Sequence, residues 1–213
     1  MAKYRTVTKV VMTGKQNRRR QIREAIKRDK ACSWESGFNI NLKQLSVEFG
    51  VDFIGLIKKK RLRKILDVGC GGGEALFDLA RLFPKAELHG TSIRAVGSFW
   101  DSYNSKLKNK IAFHERVSGI DLAKTFKPNY FDLIYSRLGL YHEVYLNKAI
   151  SQARRILAPG KYLIIDCSYE SRKLVNLKGF NIVEERRIAG GRATLLYLQK
   201  QQQGRNSLHG LKV

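Results

Sequence analysis

Four glycines fall within five positions, at Gly69, Gly71, Gly72 and Gly73, with Cys70 among them. They follow the apolar run Arg63–Val68, which carries an acidic residue, Asp67, one position from its end. Glycine lets a loop turn tightly and keeps side chains out of a hollow, so bare backbone here can approach a ligand. The neighbouring residues restrict which ligand. A phosphate-gripping loop of the Walker type ends in Gly-Lys-Ser/Thr, which is missing. The dinucleotide fingerprint needs a glycine at position 74, where Glu74 stands, and a glutamate at a helix start repels a pyrophosphate. The loop therefore suits a ligand with a cationic centre. A plain strand–helix turn is the competing reading, but four glycines carry an entropic cost that such a turn does not require.

Two further groups could do chemistry. Ser136, Arg137, Tyr141, His142 and Glu143 follow the run Phe131–Ser136. An imidazole that titrates near pH 6.5 can act as a base, so His142, with Tyr141 beside it, is a catalytic candidate against the alternative of a structural histidine. Cys167, Tyr169 and Glu170 follow Lys161–Asp166. Cys167 reads as a buried structural thiol. Cys32, Cys70 and Cys167 are too widely spaced for a disulfide framework or a zinc site, so no metal is expected and a reducing compartment fits best.

The 213 residues, 43% of them hydrophobic, suffice for one cored domain with modest extensions. From about Leu62 onward, short apolar runs alternate with helical patterns, which predicts an α/β fold with a doubly wound, mostly parallel sheet. The expected strands are Arg63–Val68, Ala86–Thr91, Ile111–Arg116, Phe131–Ser136 and Lys161–Asp166. A helical face of Leu76, Leu79, Ala80 and Phe83 follows the glycines, and another of Ala149, Ile150, Ala153, Ile156 and Leu157 precedes the turn Ala158-Pro159-Gly160. Phe180–Ile188 and Arg192–Gln199 flank Ala189-Gly190-Gly191 and read as a closing antiparallel hairpin, giving seven strands in all. Residues 41–57 fit a helix interrupted near Gly50 or, by the alternation Val47, Phe49, Val51, Phe53, a strand. The predicted organisation is a basic extension or lid over 1–60, the α/β domain over 61–199, and a mobile polar tail over 200–213.

Charge is distributed unevenly. Lys and Arg number 41 against 18 Asp and Glu, a formal +23. Residues 1–64 hold 18 of the basic and 5 of the acidic side chains. Such an excess attracts polyanions, nucleic acid first. Lys15–Lys30, with Arg18, Arg19, Arg20, Arg23 and Lys27, reads as a basic amphipathic helix suited to a phosphate backbone. Trp34 and Tyr169 could stack on exposed bases. Lys58–Lys64 precedes the first strand and so lies at the end of the sheet away from the glycines. No apolar run approaches the roughly 18 residues of a membrane span. A cytoplasmic location is expected, with an organelle matrix as the alternative, since no acidic residue precedes Glu24.

Asp67-Val68-Gly69-Cys70-Gly71-Gly72-Gly73 resembles the first motif of class I S-adenosylmethionine-dependent methyltransferases. Phe131–Ser136 resembles that family's fourth-strand motif, and Ala153–Lys161 its post-motif. The resemblance covers about 62–199. It implies S-adenosylmethionine as cofactor, with Gly69, Gly71 and Gly73 along its methionine and ribose portion and Asp67 placing its amino group. Ser136 would join that shell, and Asp121 would meet the adenine amino group or else cap the following helix. Where the family usually carries an acid that grips both ribose hydroxyls, this chain has Ser92, and a serine replaces two charge-assisted bonds by one weaker one. The resemblance together with the charge implies RNA, ribosomal or transfer, as acceptor, with a protein or small metabolite, or an inactive RNA-binding relative, as alternatives. His142 matches a histidine common in the family.

Overall fold

The computed structural model describes residues 40–94, 100–101, 104–107, 110–140 and 145–202. Seven strands form one sheet: β1 Lys64–Val68, β2 Glu87–Ser92, β3 Ala112–Glu115, β4 Phe131–Ser136, β5 Leu157–Ser168, β6 Phe180–Ile188 and β7 Ala193–Lys200. Their order is β3-β2-β1-β4-β5-β7-β6. Strands β1 to β5 pair in parallel, and β7 runs antiparallel to both β5 and β6, as the alternation predicts. The order reverses between β1 and β4, so the crevice for a ligand opens beyond the carboxyl ends of those two strands.

The segment with two readings is helical. Helix α1 spans Leu42–Phe49 and α2 spans Phe53–Lys60. Asn41 and Gln44 form a reciprocal capping box, with side chain to backbone bonds of 2.9 and 3.0 Å. Gly50 ends α1 in the left-handed region at φ 53°, and the Asp52 carboxylate accepts from Gly55 N to start α2. The strand reading fails on Val47, which is 74% exposed while Phe49 is fully buried. Leu42, Leu45, Phe49, Phe53 and Ile57 pack into the same core as Ile65 and Tyr135 of the sheet and Leu76 of the helix after the glycines. Lys58, Lys59 and Lys60 occupy the last turn of α2, where cations suit the helix dipole.

Helix α3 (Glu74–Leu82) covers one face of the sheet and α5 (Leu146–Ile156) the other, with two short helices, α4 (Leu122–Thr125) and α6 (Tyr169–Arg172). Leu76, Leu79 and Ala80 are buried as the periodicity predicts, as are Ala149, Ile150, Ala153 and Ile156.

Two expectations need correction. Ala158-Pro159-Gly160 is no turn before a strand: β5 begins at Leu157 and passes through a register shift against β4. Such an irregularity tolerates the proline, which has no N–H for a ladder. The expected boundary at position 200 also falls within the sheet. Lys200 ends β7 and donates from Nζ to Leu157 O and Asn129 Oδ1, and Gln201 N bonds Gly179 O at 3.0 Å. Residues 203–213 lie outside the described residues.

Candidate active site

The glycine loop leaves β1 with Gly69, Gly71 and Gly73 at φ 81°, 54° and 87°. All three sit in the left-handed region, which side chains strain to adopt. The loop is braced against the turn after β4. A methyl placed on Gly69 would meet Gly139 Cα at 2.7 Å, and one on Gly139 would meet Val68 O at 2.2 Å. Ser136 links the two turns: its hydroxyl donates to Val68 O at 2.7 Å and accepts from Leu140 N at 2.9 Å. Ser136 is fully buried, so its hydroxyl serves to hold the crevice walls together.

One flank of the loop is aromatic. Trp100 is 1% exposed, donates from Nε1 to Gly71 O at 3.0 Å, and stacks on Phe113 with centroids 4.3 Å apart. Phe113 in turn lies against Gly73 and Gly90. Sequence reasoning missed this wall, because Trp100 falls in the β2–β3 connection and its use depends on a contact 29 residues away.

Asp67 is buried at the foot of the loop. Burial, and secondarily Glu74, push its carboxyl up to about 7, while the Tyr135 hydroxyl beside it pulls the other way. That hydroxyl is itself buried without a hydrogen bond of standard geometry. Glu74, in the first turn of α3, is also raised, chiefly by desolvation. Among the described residues no cation lies within salt-bridge distance of Asp67 or Glu74. Two carboxyls strained toward neutrality around bare backbone favour a cationic guest, whose arrival would restore their charge. The ammonium group and sulfonium of S-adenosylmethionine match the charge of these residues; an oligophosphate does not.

The other residues that the resemblance singles out are placed as follows. Ser92 ends β2, and its hydroxyl accepts from Arg94 N at 3.0 Å. Asp121 is 4% exposed, its Oδ1 accepts from Lys124 Nζ at 2.9 Å, and its side chain makes no cap bond to α4. Arg18, Arg19, Arg20, Arg23, Lys27, Trp34, Tyr141 and His142 lie outside the described residues. Tyr169 begins α6 at the carboxyl end of β5, under two cations: Arg187 Cζ at 4.3 Å and Lys173 Nζ at 4.9 Å from the ring centroid.

Between β4 and β5 stands an ion network that the sequence did not announce. Arg137 donates to Asp166 Oδ2 at 2.7 Å and to Glu48 Oε2 of α1 at 2.5 Å, and Asp166 Oδ1 accepts from Leu138 N at 2.8 Å. Asp166 has no exposed surface; burial raises its carboxyl and Arg137 opposes that. The network fastens α1 to the floor of the crevice. Cys167 beside it is buried, its thiol pushed up to about 11, which makes it inert as a nucleophile. Among the described residues no cluster of His, Cys, Asp and Glu could hold a metal ion, and no helix is long and apolar enough to cross a membrane.

Residues 59–203 match a family described as a methyltransferase domain. Among solved structures, the chain is similar to an S-adenosylmethionine-dependent methyltransferase from Aquifex aeolicus, with 18% identity over 75% of this chain and 96% of that one and a TM-score of 0.56. It is similar also to a protein titled a putative sarcosine dimethylglycine methyltransferase from Galdieria sulphuraria, with 17% identity over 75% and 84% of the two chains and a TM-score of 0.57. A third likeness is to a complex of the Haloferax volcanii Trm112 methyltransferase activator and a putative methyltransferase, with 15% identity over 67% and 83% and a TM-score of 0.50. At these identities the likeness is one of fold. No curated protein matches the chain by sequence.

Proposed function

The chain belongs to the class I S-adenosylmethionine-dependent methyltransferases, and from that premise we propose that its acceptor is RNA, ribosomal or transfer, handled in the cytoplasm. The enzyme class and the cofactor follow from the family. The acceptor rests on charge: the formal excess of +23, concentrated in the first 64 residues, is the observation that carries the reading. Lys15–Lys30 is the segment we assign to the phosphate backbone, with Trp34 and Tyr169 as stacking partners for exposed bases. In this reading the basic residues that precede α1 bind substrate, while α1 and α2 pack into the core of the transferase domain.

When bound, the sulfonium supplies an activated methyl group. The chain's own work is to bind, orient and exclude water. Asp67 holds the ammonium end, the backbone at Gly69, Gly71 and Gly73 lies along the methionine and ribose, and Ser92 donates to a ribose hydroxyl. Asp121 accepts from the adenine amino group. Ser136, through Val68 O and Leu140 N, keeps the glycine loop in register with the turn after β4. His142 takes a proton from the acceptor when that atom must lose one, and Tyr141 stands next to it. Transfer of a labelled methyl group from S-adenosylmethionine to total RNA, with filter binding across a salt series, tests the proposal. No label in RNA and a flat salt response together would overturn it.

A further inference from the structure

Resting on the RNA reading but independent of the amino-terminal segment, a second basic surface lies on the acceptor rim of the crevice. Arg187 of β6 is in register with Thr194 of β7, which faces Cys167 at the end of β5. Tyr169 follows directly, and its N–H bonds Arg192 O at 3.3 Å. The hairpin therefore brings Arg187, Arg192 and the Tyr169 ring together beside the carboxyl end of β5. This is the opposite end of the sheet from Lys58, Lys59 and Lys60.

The charges around this ring are unequally matched. Arg172 is held by both oxygens of Glu185, at 2.8 and 2.6 Å. Arg186 donates to Phe49 O and pairs with Glu184, and Lys173 leans on Glu170 at 3.2 Å. Arg187 and Arg192 are exposed, and among the described residues neither meets a carboxylate within salt-bridge distance. Charges on an edge strand discourage pairing with other chains and need no ligand for that. Arg187 departs from that role in where its head lies: its guanidinium covers the Tyr169 ring instead of seeking an acid. A guanidinium stacked on an aromatic ring keeps its edge N–H groups for phosphate oxygens and offers its other face to a base. The turn beside it is bare, since a methyl on Gly190 or Gly191 would touch nothing within 4 Å, so a backbone can approach closely.

We propose that Tyr169, Arg187 and Arg192 form a docking surface for single-stranded RNA at the acceptor rim. Arg187 and Arg192 each take a phosphate, and the Tyr169–Arg187 stack carries a base toward the crevice. The test uses the full chain and a short fluorescein-labelled single-stranded RNA, titrated across a salt series. For Arg187→Gln with Arg192→Gln, the plot of log affinity against log salt is expected to become shallower by about 1.4, two phosphates at roughly 0.7 each. Tyr169→Ala should weaken binding about tenfold at fixed salt without changing the slope, and Tyr169→Phe should retain it. Calorimetric S-adenosylmethionine affinity should stay at the wild-type value in all three, which checks that the crevice is intact. An unchanged slope in the double variant, with the wild type binding well, would overturn the docking surface alone. Failure of the wild type to bind RNA would overturn the RNA reading itself. Loss of binding to phosphatidylserine vesicles, with RNA binding unchanged, would replace this surface by a membrane-facing one.

Discussion

The carboxyl of Asp67 should make cofactor binding a proton-releasing reaction. In the free protein it ionises at about 7, because burial outweighs the help from Tyr135. An ammonium or sulfonium guest binds the ionised form and pulls that value back toward the ordinary carboxylate range. For a site that must be deprotonated to bind, affinity scales with the ionised fraction, which rises about tenfold between pH 6 and pH 8 when the free value is near 7. At pH 7 binding should release about half a proton per chain. Isothermal titration with S-adenosylmethionine in buffers of different ionisation enthalpy measures both quantities. Asp67→Asn should bind more weakly and lose the pH dependence. The same shift has a sign for stability. Since the folded value is raised above 3.8, Asp67 favours folding at acid pH, and that contribution is lost as pH climbs from about 4 through about 7. Saturating cofactor should offset the loss. Proton uptake on binding, or an Asp67→Asn variant that keeps the pH slope, would refute the argument.

Other substitutions probe the scaffold. Gly139→Ala drives a methyl within 2.2 Å of Val68 O and 2.8 Å of Ser136 Oγ, and should cost about 1–3 kcal/mol, read as a lowered midpoint in scanning calorimetry. Arg137→Met strands the buried Asp166 and should destabilise by about 3 kcal/mol in urea unfolding; adding Asp166→Asn should recover part of that loss. Ser92→Asp restores two charge-assisted bonds to the ribose and should tighten S-adenosylmethionine binding about tenfold by calorimetry; weaker binding would show that the hydroxyl is already in its best use with Arg94 N.

Local chemistry explains what the sequence foretold. The glycine loop, the strands and the break at Gly50 are written in neighbouring residues: Asp67 beside glycines, apolar runs of strand length, and a glycine between two amphipathic stretches. The features it concealed join residues far apart in the chain. Nothing near Gly139 signals that it must lie against Gly69, because that need arises only when β4 pairs with β1. Trp100 shows no periodicity that would assign it to the glycine loop. The triad of Glu48, Arg137 and Asp166 joins three segments whose charges look like ordinary surface charges until the fold brings them together. Pro159 led the reading toward a turn because its missing N–H argues against a strand; the register shift in β5 removes the objection.

The Ser136 brace bears on the order of events. One hydroxyl ties the glycine loop to the turn after β4. If the donor lies along the glycine loop, as proposed, seating it should set the width of the gap beside the turn after β4. Such a joint favours donor first and recipient second. Product-inhibition kinetics should then show an ordered reaction, with the methylated product released before the spent nucleoside.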